Sequence, residues 1–287
     1  SLCGIVSFRP STLRWPQAGI VPISHTRDTA GPMARNVADC ALLDGVVTGG
    51  PTVIAPAALE GLRLGVPHGH FWENLDAELA EILERALARL REAGVVLVEG
   101  DIADVAALDA AAGFPIALYE MVRDLDRYLA GHATGLDFAD LMAQVKSPMV
   151  KDALAGLVGA QAVSEATYQE ALHRHRPALQ ETYRRAFEQG GIAALVFPTT
   201  PLAAAKIGED TTVMLNGAPV PTLGTYIRNL GPGSTAGLPG LSLPAGMTTA
   251  GLPVGIAIDG PQNGDQQVLA IALALESVLP RLPAPRI

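Results

Sequence analysis

Residues 62–98 constrain this chain most. Leu62–Val66 is a short apolar run closed by Pro67, and Val95–Val98 is a second one following Gly94. Between them, Asp76–Ala93 carries Leu79, Ile82, Leu83, Ala86, Leu87 and Leu90 at helical spacing. Apolar residues three and four apart line one helix face, whereas a short continuous apolar run fits a buried strand. A glycine after the last periodic residue supplies the left-handed conformation that ends a helix. Strand, helix and strand in succession predict an α/β architecture.

The alternation continues along the chain. From Ile102 to about Gln189 the pattern is helical, with breaks expected at Gly113-Phe114-Pro115, Gly131–Gly135, Ser147-Pro148 and Pro177 and a stop at Gly190-Gly191. Ala194–Phe197, Leu241–Leu243 and Val254–Ile258 read as strands, and Asp265 is expected to cap a final helix through Leu279. Lys206–Pro239, rich in Gly, Pro, Thr and Asn, reads as a long ordered surface segment of the kind that carries binding groups. No repeat, low-complexity tract or charge block marks a linker, so residues 1–287 read as one unit.

Composition bounds the partners. With 287 residues, 49% of them hydrophobic and 17% charged, the chain can bury a substantial core without disulfides or metals. Its 30 Gly and 22 Pro exceed the usual share of ~12%. The net charge of −9 leaves no basic stripe to release counterions from phosphates, so nucleic acid is not an expected partner. Uninterrupted apolar runs such as Val268–Leu275 fall short of the ~18 residues of a membrane helix. The chain opens at Ser1, without an initiator Met or a secretory signal pattern. Cys3 and Cys40 are expected as buried free thiols, in a cytoplasmic protein that admits a homodimer.

Most constellations that carry chemistry are absent: there is no G-x-S-x-G elbow, Walker loop, G-x-G-x-x-G or C-x-x-C. His173 and His175, two apart on a helix, point to different faces, while His68 and His70 could chelate only from an extended segment. Ser24 and His25 are adjacent, so their side chains diverge and a nucleophile–base pair is not expected. Asp28, Arg35 and Asp39 suggest an ion pair that fixes one loop. None of Lys146, Lys151 and Lys206 lies beside a Gly/Ser-rich turn that would present a serine. Residue chemistry alone therefore yields no catalytic residue, metal site or cofactor.

Four blocks carry a resemblance. Cys3-Gly4-Ile5-Val6-Ser7-Phe8-Arg9-Pro10-Ser11 resembles the end of a C-G-x-x-G-x-K-P-T signature, with Ser7, Arg9 and Ser11 as departures. Val21–Asp39, containing Asp28-Thr29-Ala30-Gly31-Pro32-Met33-Ala34-Arg35, resembles the block that follows it. Phe197-Pro198-Thr199-Thr200-Pro201 resembles a strand-end element, and Ala236–Gly246 with Gly251–Ile256 resembles the C-terminal blocks. In order and spacing these match the amidase signature family. The resemblance implies a mixed β-sheet core flanked by helices, with the N-terminal part of the fold missing from this sequence.

Family members hydrolyse amides through a Ser–cis-Ser–Lys triad without metal or cofactor, and backbone N–H groups hold the oxyanion. Aligning Cys3-Gly4 with the end of the signature puts all three triad members upstream of Ser1. The catalytic set within residues 1–287 is then empty, and the chain alone is expected to be inactive. Val150-Lys151-Asp152 imitates the family's lysine string but follows the signature, so Lys151 reads as a surface lysine. By resemblance, Cys3, Gly4, Asp28 and Arg35 support the nucleophile loop, while residues 102–190 and 222–240 wall the pocket. Phe114, Tyr119, Met142, Tyr226 and Ser234 are the expected substrate contacts.

Arg228-Asn229 followed by Gly231–Gly237 is most similar to the branch acting on indoleacetamide and mandelamide, which implies a small aryl-substituted primary amide. The expected partners are that substrate and the missing N-terminal segment. Two rivals are the glutaminase subunit of a tRNA-dependent amidotransferase, with Arg228 as the local cation for an α-carboxylate, and a non-catalytic fragment.

Overall fold

The computed structural model describes residues 1–147, 150, 151, 154, 157 and 162–283. Seven strands form one mixed sheet in the order β2-β1-β8-β9-β5-β3-β4. They are β1 (Val6–Arg9), β2 (Met33–Ala34), β3 (Arg63–Pro67), β4 (Val96–Gly100), β5 (Ala194–Pro198), β8 (Gly240–Met247) and β9 (Pro253–Asp259). Strand β3 runs parallel to both β4 and β5, whereas β9 is antiparallel to β5 and β8. The crossover from β3 to β4 is α2 (Ala77–Glu92), the 62–98 unit read from sequence. Asp76 caps α2 by accepting from Leu79 N at 3.0 Å, and Gly94 follows it at φ +90°.

Period-two alternation divides the core. Leu64, Val66, Ala194, Val196, Ile256 and Ile258 face α1 (Val37–Thr48), α2 and α9 (Asp265–Val278). Leu195, Phe197 and Ala257 face the other way, against Leu179, Tyr183 and Phe187 of α6 (Arg176–Gly190). That second face also meets α3 (Val105–Gly131) through Val105. Beyond it lie α4 (Phe138–Gln144) and α5 (Glu165–Glu170).

The expected break at Gly131–Gly135 is made, since α3 ends at Gly131, but two others are not. Helix α3 runs through Gly113-Phe114-Pro115 without interruption, because packing holds the turn that Pro115 weakens. Arg27 Nη1 donates to the Gly113 carbonyl at 2.6 Å. A Cβ at Gly113 would stand 2.8 Å from Thr235 Oγ1, so glycine lets a neighbouring helix lie close. At Pro177 the helix also continues: a π turn over Ala171–His175 places the proline in the first turn of α6, where its missing N–H leaves no orphan. Pro148 lies outside the described residues.

The 206–239 segment is ordered and its first half, to about residue 224, is largely exposed as expected, but its second half is buried. It contains the hairpin of β6 (Thr212–Leu215) and β7 (Ala218–Pro221), then α7 (Thr222–Ile227) and α8 (Gly231–Ala236). Pro232, Gly233, Thr235 and Ala236 are buried beneath α3 and α6. Asp265 does not cap α9; its carboxylate accepts from Ser11 N at 2.8 Å and Ser11 Oγ at 2.6 Å. By length and composition α3 could span a membrane, which the reading of uninterrupted runs did not detect. Its inner face carries Glu120 and Asp124 in a protein hydrogen-bond network.

Cys40 is fully enclosed, and burial first, then Asp39 and Glu276, pushes its thiol up to about 11. Cys3 is exposed rather than buried. With a disulfide reagent at mildly alkaline pH, the exposed Cys3 is expected to react at once and the enclosed Cys40 only after unfolding. Two fast thiols in the native protein would contradict the enclosure of Cys40.

Candidate functional site

In open α/β sheets, ligands bind beyond the carboxyl ends of the parallel strands. Here those ends belong to β3, β4 and β5 and lead into His68–Phe71, Asp101 and Thr199-Thr200. Thr199 Oγ1 meets Ser242 Oγ at 2.8 Å, and Thr200 Oγ1 meets Ser1 Oγ at 3.3 Å. Helices α7 and α8 close over this edge. The hinge between them is Asn229, which is fully buried and donates from Nδ2 to Phe71 O at 2.8 Å and Pro198 O at 2.7 Å. Its Oδ1 accepts from Arg228 Nε at 3.0 Å. One amide thus joins the β3 loop, the β5 end and the helical cover.

Below α8, Arg9 Nη2 pairs with the buried Asp259 Oδ1 at 2.8 Å. Arg9 also donates to Leu238 O at 3.2 Å and Leu230 O at 3.3 Å. Burial pushes the Asp259 carboxyl up, opposed by Arg9. Gly233 and Gly240 lie so close to this pair that any Cβ there would collide with Asp259. On the α3 side, Thr235 Oγ1 donates to Asp109 Oδ1 at 2.5 Å.

A second polar network fastens residues 23–28 to α3. Glu120, fully buried, accepts from Ser24 Oγ at 2.6 Å, Thr26 Oγ1 at 3.0 Å and Tyr168 OH at 2.7 Å. His25 Nδ1 lies 2.7 Å from Asp124 Oδ2. Ser24 bonds Glu120, whereas His25 bonds Asp124 and lies 3.5 Å from Glu120 Oε2, and no Ser24–His25 hydrogen bond forms among the described residues. The donor atoms of His25, Glu120 and Asp124 cluster within 4.8 Å, a spacing that a cation could use. Arg123 and Arg127 approach the same carboxylates to 3.6–3.8 Å and supply positive charge. The arrangement is that of an internal charge network.

The expected substrate contacts are not gathered in one pocket. Tyr119 stacks on Tyr168 at 4.2 Å, Met142 packs beside Leu125 and Phe138, and Tyr226 packs beside Leu202 and Val213. Those are three separate apolar clusters. Tyr226 OH also donates to Ala203 O at 2.8 Å. Phe114 is exposed, and Ser234 is half-buried on α8. Phe114 and Ser234 are the sequence neighbours of Gly113 and Thr235, which lie close together where α3 meets α8.

Asp28 braces its own loop: Oδ2 accepts from Ile23 N at 2.7 Å and Ser24 N at 2.9 Å. Arg35 is exposed, and Asp39 accepts from Asn36, whose Oδ1 caps α1. No ion pair joins Asp28, Arg35 and Asp39 among the described residues, because the loop saturates Asp28 with backbone N–H groups. Gly4, at φ +64°, packs against Pro253 and Leu282. His68 binds Glu99 at 2.5 Å and His70 binds Arg228 O at 3.1 Å, so the two do not converge. Lys151 is exposed, and Asp152 lies outside the described residues.

Sequence reasoning missed Asn229, Asp259, Asp109 and Glu120. For Glu120 a signal existed: Ala112, Ile116, Glu120 and Asp124 recur every four residues, placing two acids on the apolar face of one helix. A buried acid on such a face requires partners.

Comparison with known proteins gives one family. The model of the Amidase family matches residues 1–269. An indoleacetamide hydrolase of Agrobacterium vitis is 43% identical over 279 residues, covering 97% of this chain and 60% of that protein. A mandelamide hydrolase of Pseudomonas putida is 38% identical over 292 residues, covering 98% of this chain and 56% of that protein. A crystal structure of an amidase superposes with a TM-score of 0.80 at 27% identity, over 96% of this chain and 59% of the other. The chain thus spans about 60% of the length of the curated relatives it matches.

Proposed function

Because the chain belongs to the Amidase family, we propose that it carries the pocket-forming part of a hydrolase for a small aryl-substituted primary amide. The reaction adds water across the C–N bond and yields a carboxylate and ammonia. The observation that carries this reading is the 43% and 38% identity to hydrolases of indoleacetamide and mandelamide across nearly the whole chain.

The resemblance supplies the chemistry. A serine upstream of Ser1 attacks the amide carbonyl, and a lysine accepts its proton through a bridging cis-serine. Ammonia leaves, and water then hydrolyses the acyl-enzyme. Backbone N–H groups hold the oxyanion, the interaction that usually lowers the barrier most. This chain contributes the strand-end floor at Thr199, Thr200 and Ser242 and the cover hinged at Asn229.

The glutaminase alternative finds no support at Arg228. Its guanidinium donates to Asn229 Oδ1 at 3.0 Å and Glu73 O at 2.7 Å, so it is committed to the fold.

Ammonia release from indole-3-acetamide, mandelamide and glutamine tests the reading, with the product of the reading frame that contains this sequence. Turnover of the aryl amides without glutamine is expected, and turnover of glutamine alone would overturn it. The 287-residue chain by itself is expected to release no ammonia and to resist a serine-directed fluorophosphonate. Labelling would show that a nucleophile lies within residues 1–287.

A further inference from the structure

The outer face of α1 is apolar where a helix meeting water would carry charge. Its inner face holds Val37, Cys40, Ala41 and Gly45, together with one matched acid. That acid, Asp44, accepts from Arg14 Nη2 at 2.6 Å and from Trp15 Nε1 at 2.8 Å. Outward, Leu42, Leu43, Val46 and Val47 stand on two successive turns and are 40–66% exposed. Among the exposed residues of α1, Asp39 alone is charged, and it sits in the first turn. Single exposed aliphatic side chains are ordinary on a protein surface, whereas a contiguous group of them marks a contact.

Helix α2, on the same side of the sheet, shows how this chain composes a wet face. Its exposed positions include Glu81, Glu84, Arg85, Arg89, Arg91 and Glu92. A helix that is apolar on both sides belongs in an interior. On its inner side α1 packs against β1, β2 and α9, and no described element covers the other.

Length identifies the occupant. The chain spans about 60% of the curated relatives that it matches, which leaves about 40% of such a protein outside residues 1–287. The alignment of Cys3-Gly4 with the end of the signature puts that part before Ser1. Strand β1 begins at Val6, so chain arriving at Ser1 lies only a few residues from a strand on which α1 packs. A second copy of the chain is the rival occupant. A stable interface between separate proteins takes about 20–30 residues a side, far more than the aliphatic face of one helix. A covalently joined segment needs no such area, because its effective concentration is high.

We propose that the outer face of α1 seats the segment preceding Ser1, which turns aliphatic side chains onto Leu42, Leu43, Val46 and Val47. This rests on the amide-hydrolase reading above and adds to it where the part that bears the nucleophile is held.

Cross-linking in the product of the whole reading frame tests it. A diazirine-bearing aliphatic residue replaces Val46, and the peptides joined on photolysis are mapped by mass spectrometry. The expected cross-link lies within one chain and runs from position 46 to a residue preceding Ser1. Val46→Cys supplies a second readout that disturbs packing less. Its thiol should react with a maleimide about tenfold or more slowly in the native protein than after unfolding. A cross-link between two chains gives the face to a second copy and overturns the proposal. So does a cross-link confined to residues 1–287, a thiol equally fast in native and unfolded protein, or a reading frame without such a segment before Ser1. Ammonia release from indole-3-acetamide by the unmodified protein scores the hydrolase reading separately. Turnover without the cross-link leaves that reading standing and removes this one, and the cross-link without turnover does the reverse.

Discussion

Replacing Asn229 with alanine is expected to lower the unfolding free energy by about 3–5 kcal/mol, read from urea titration. The side chain is fully buried and donates to two carbonyls, Phe71 O and Pro198 O, that lie far apart in sequence. Alanine leaves both carbonyls buried without a donor, each such loss being worth about 1–3 kcal/mol. It also frees Arg228 Nε, so the cover loses its attachment to the β3 and β5 ends together. Asn229→Asp should be no better at neutral pH, since it sets a carboxylate against two carbonyl oxygens. A loss below about 1 kcal/mol for Asn229→Ala would mean that water replaces the amide and that the hinge is wetter than its burial indicates.

Arg9→Met should be comparably severe, at about 3–5 kcal/mol near pH 7, because it leaves Asp259 charged and unpaired in the core. The effect should also depend on pH. Burial holds the Asp259 carboxyl above its ordinary value of 3.8, with Arg9 as the opposing influence. A carboxyl raised by folding contributes most to stability when protonated, and that contribution disappears as pH rises through the folded-state value. Without Arg9 the folded value rises further, so the variant should approach wild type near pH 4 and diverge towards pH 7. Urea midpoints at the two pH values measure this, and an equal gap at both would refute it. The double variant Arg9→Met, Asp259→Leu should recover much of the loss, as apolar replacement of a buried pair often does.

Legibility followed the range of the interactions. The 62–98 unit was readable because the spacing of Leu79, Leu83 and Leu87, the Asp76 cap and the Gly94 stop act within one turn of the chain. Gly113-Phe114-Pro115 was misread because its local chemistry is that of a break, while Arg27 and Thr235, both distant in sequence, hold the helix together. Phe114, Tyr119, Met142, Tyr226 and Ser234 were chosen by region and residue type, which do not fix the direction of a side chain. Tyr119, Met142 and Tyr226 pack into three separate apolar clusters. Asp109, Asp259 and Asn229 are short polar residues whose local sequence suits a surface as well as an interior.

The sequence by itself determined the family, through four blocks in fixed order, and the α/β class, through periodicities of two and 3.6 residues. Both are properties of local segments. Tertiary structure decided which polar groups are buried and with whom they pair. It buried the second half of a Gly/Pro-rich stretch read as surface, anchoring it at Asn229. It also joined Arg9 to Asp259 and Thr235 to Asp109. The physical reason is that the energy of a buried polar group depends on its partner and its solvent, and the sheet order and helix crossings set both.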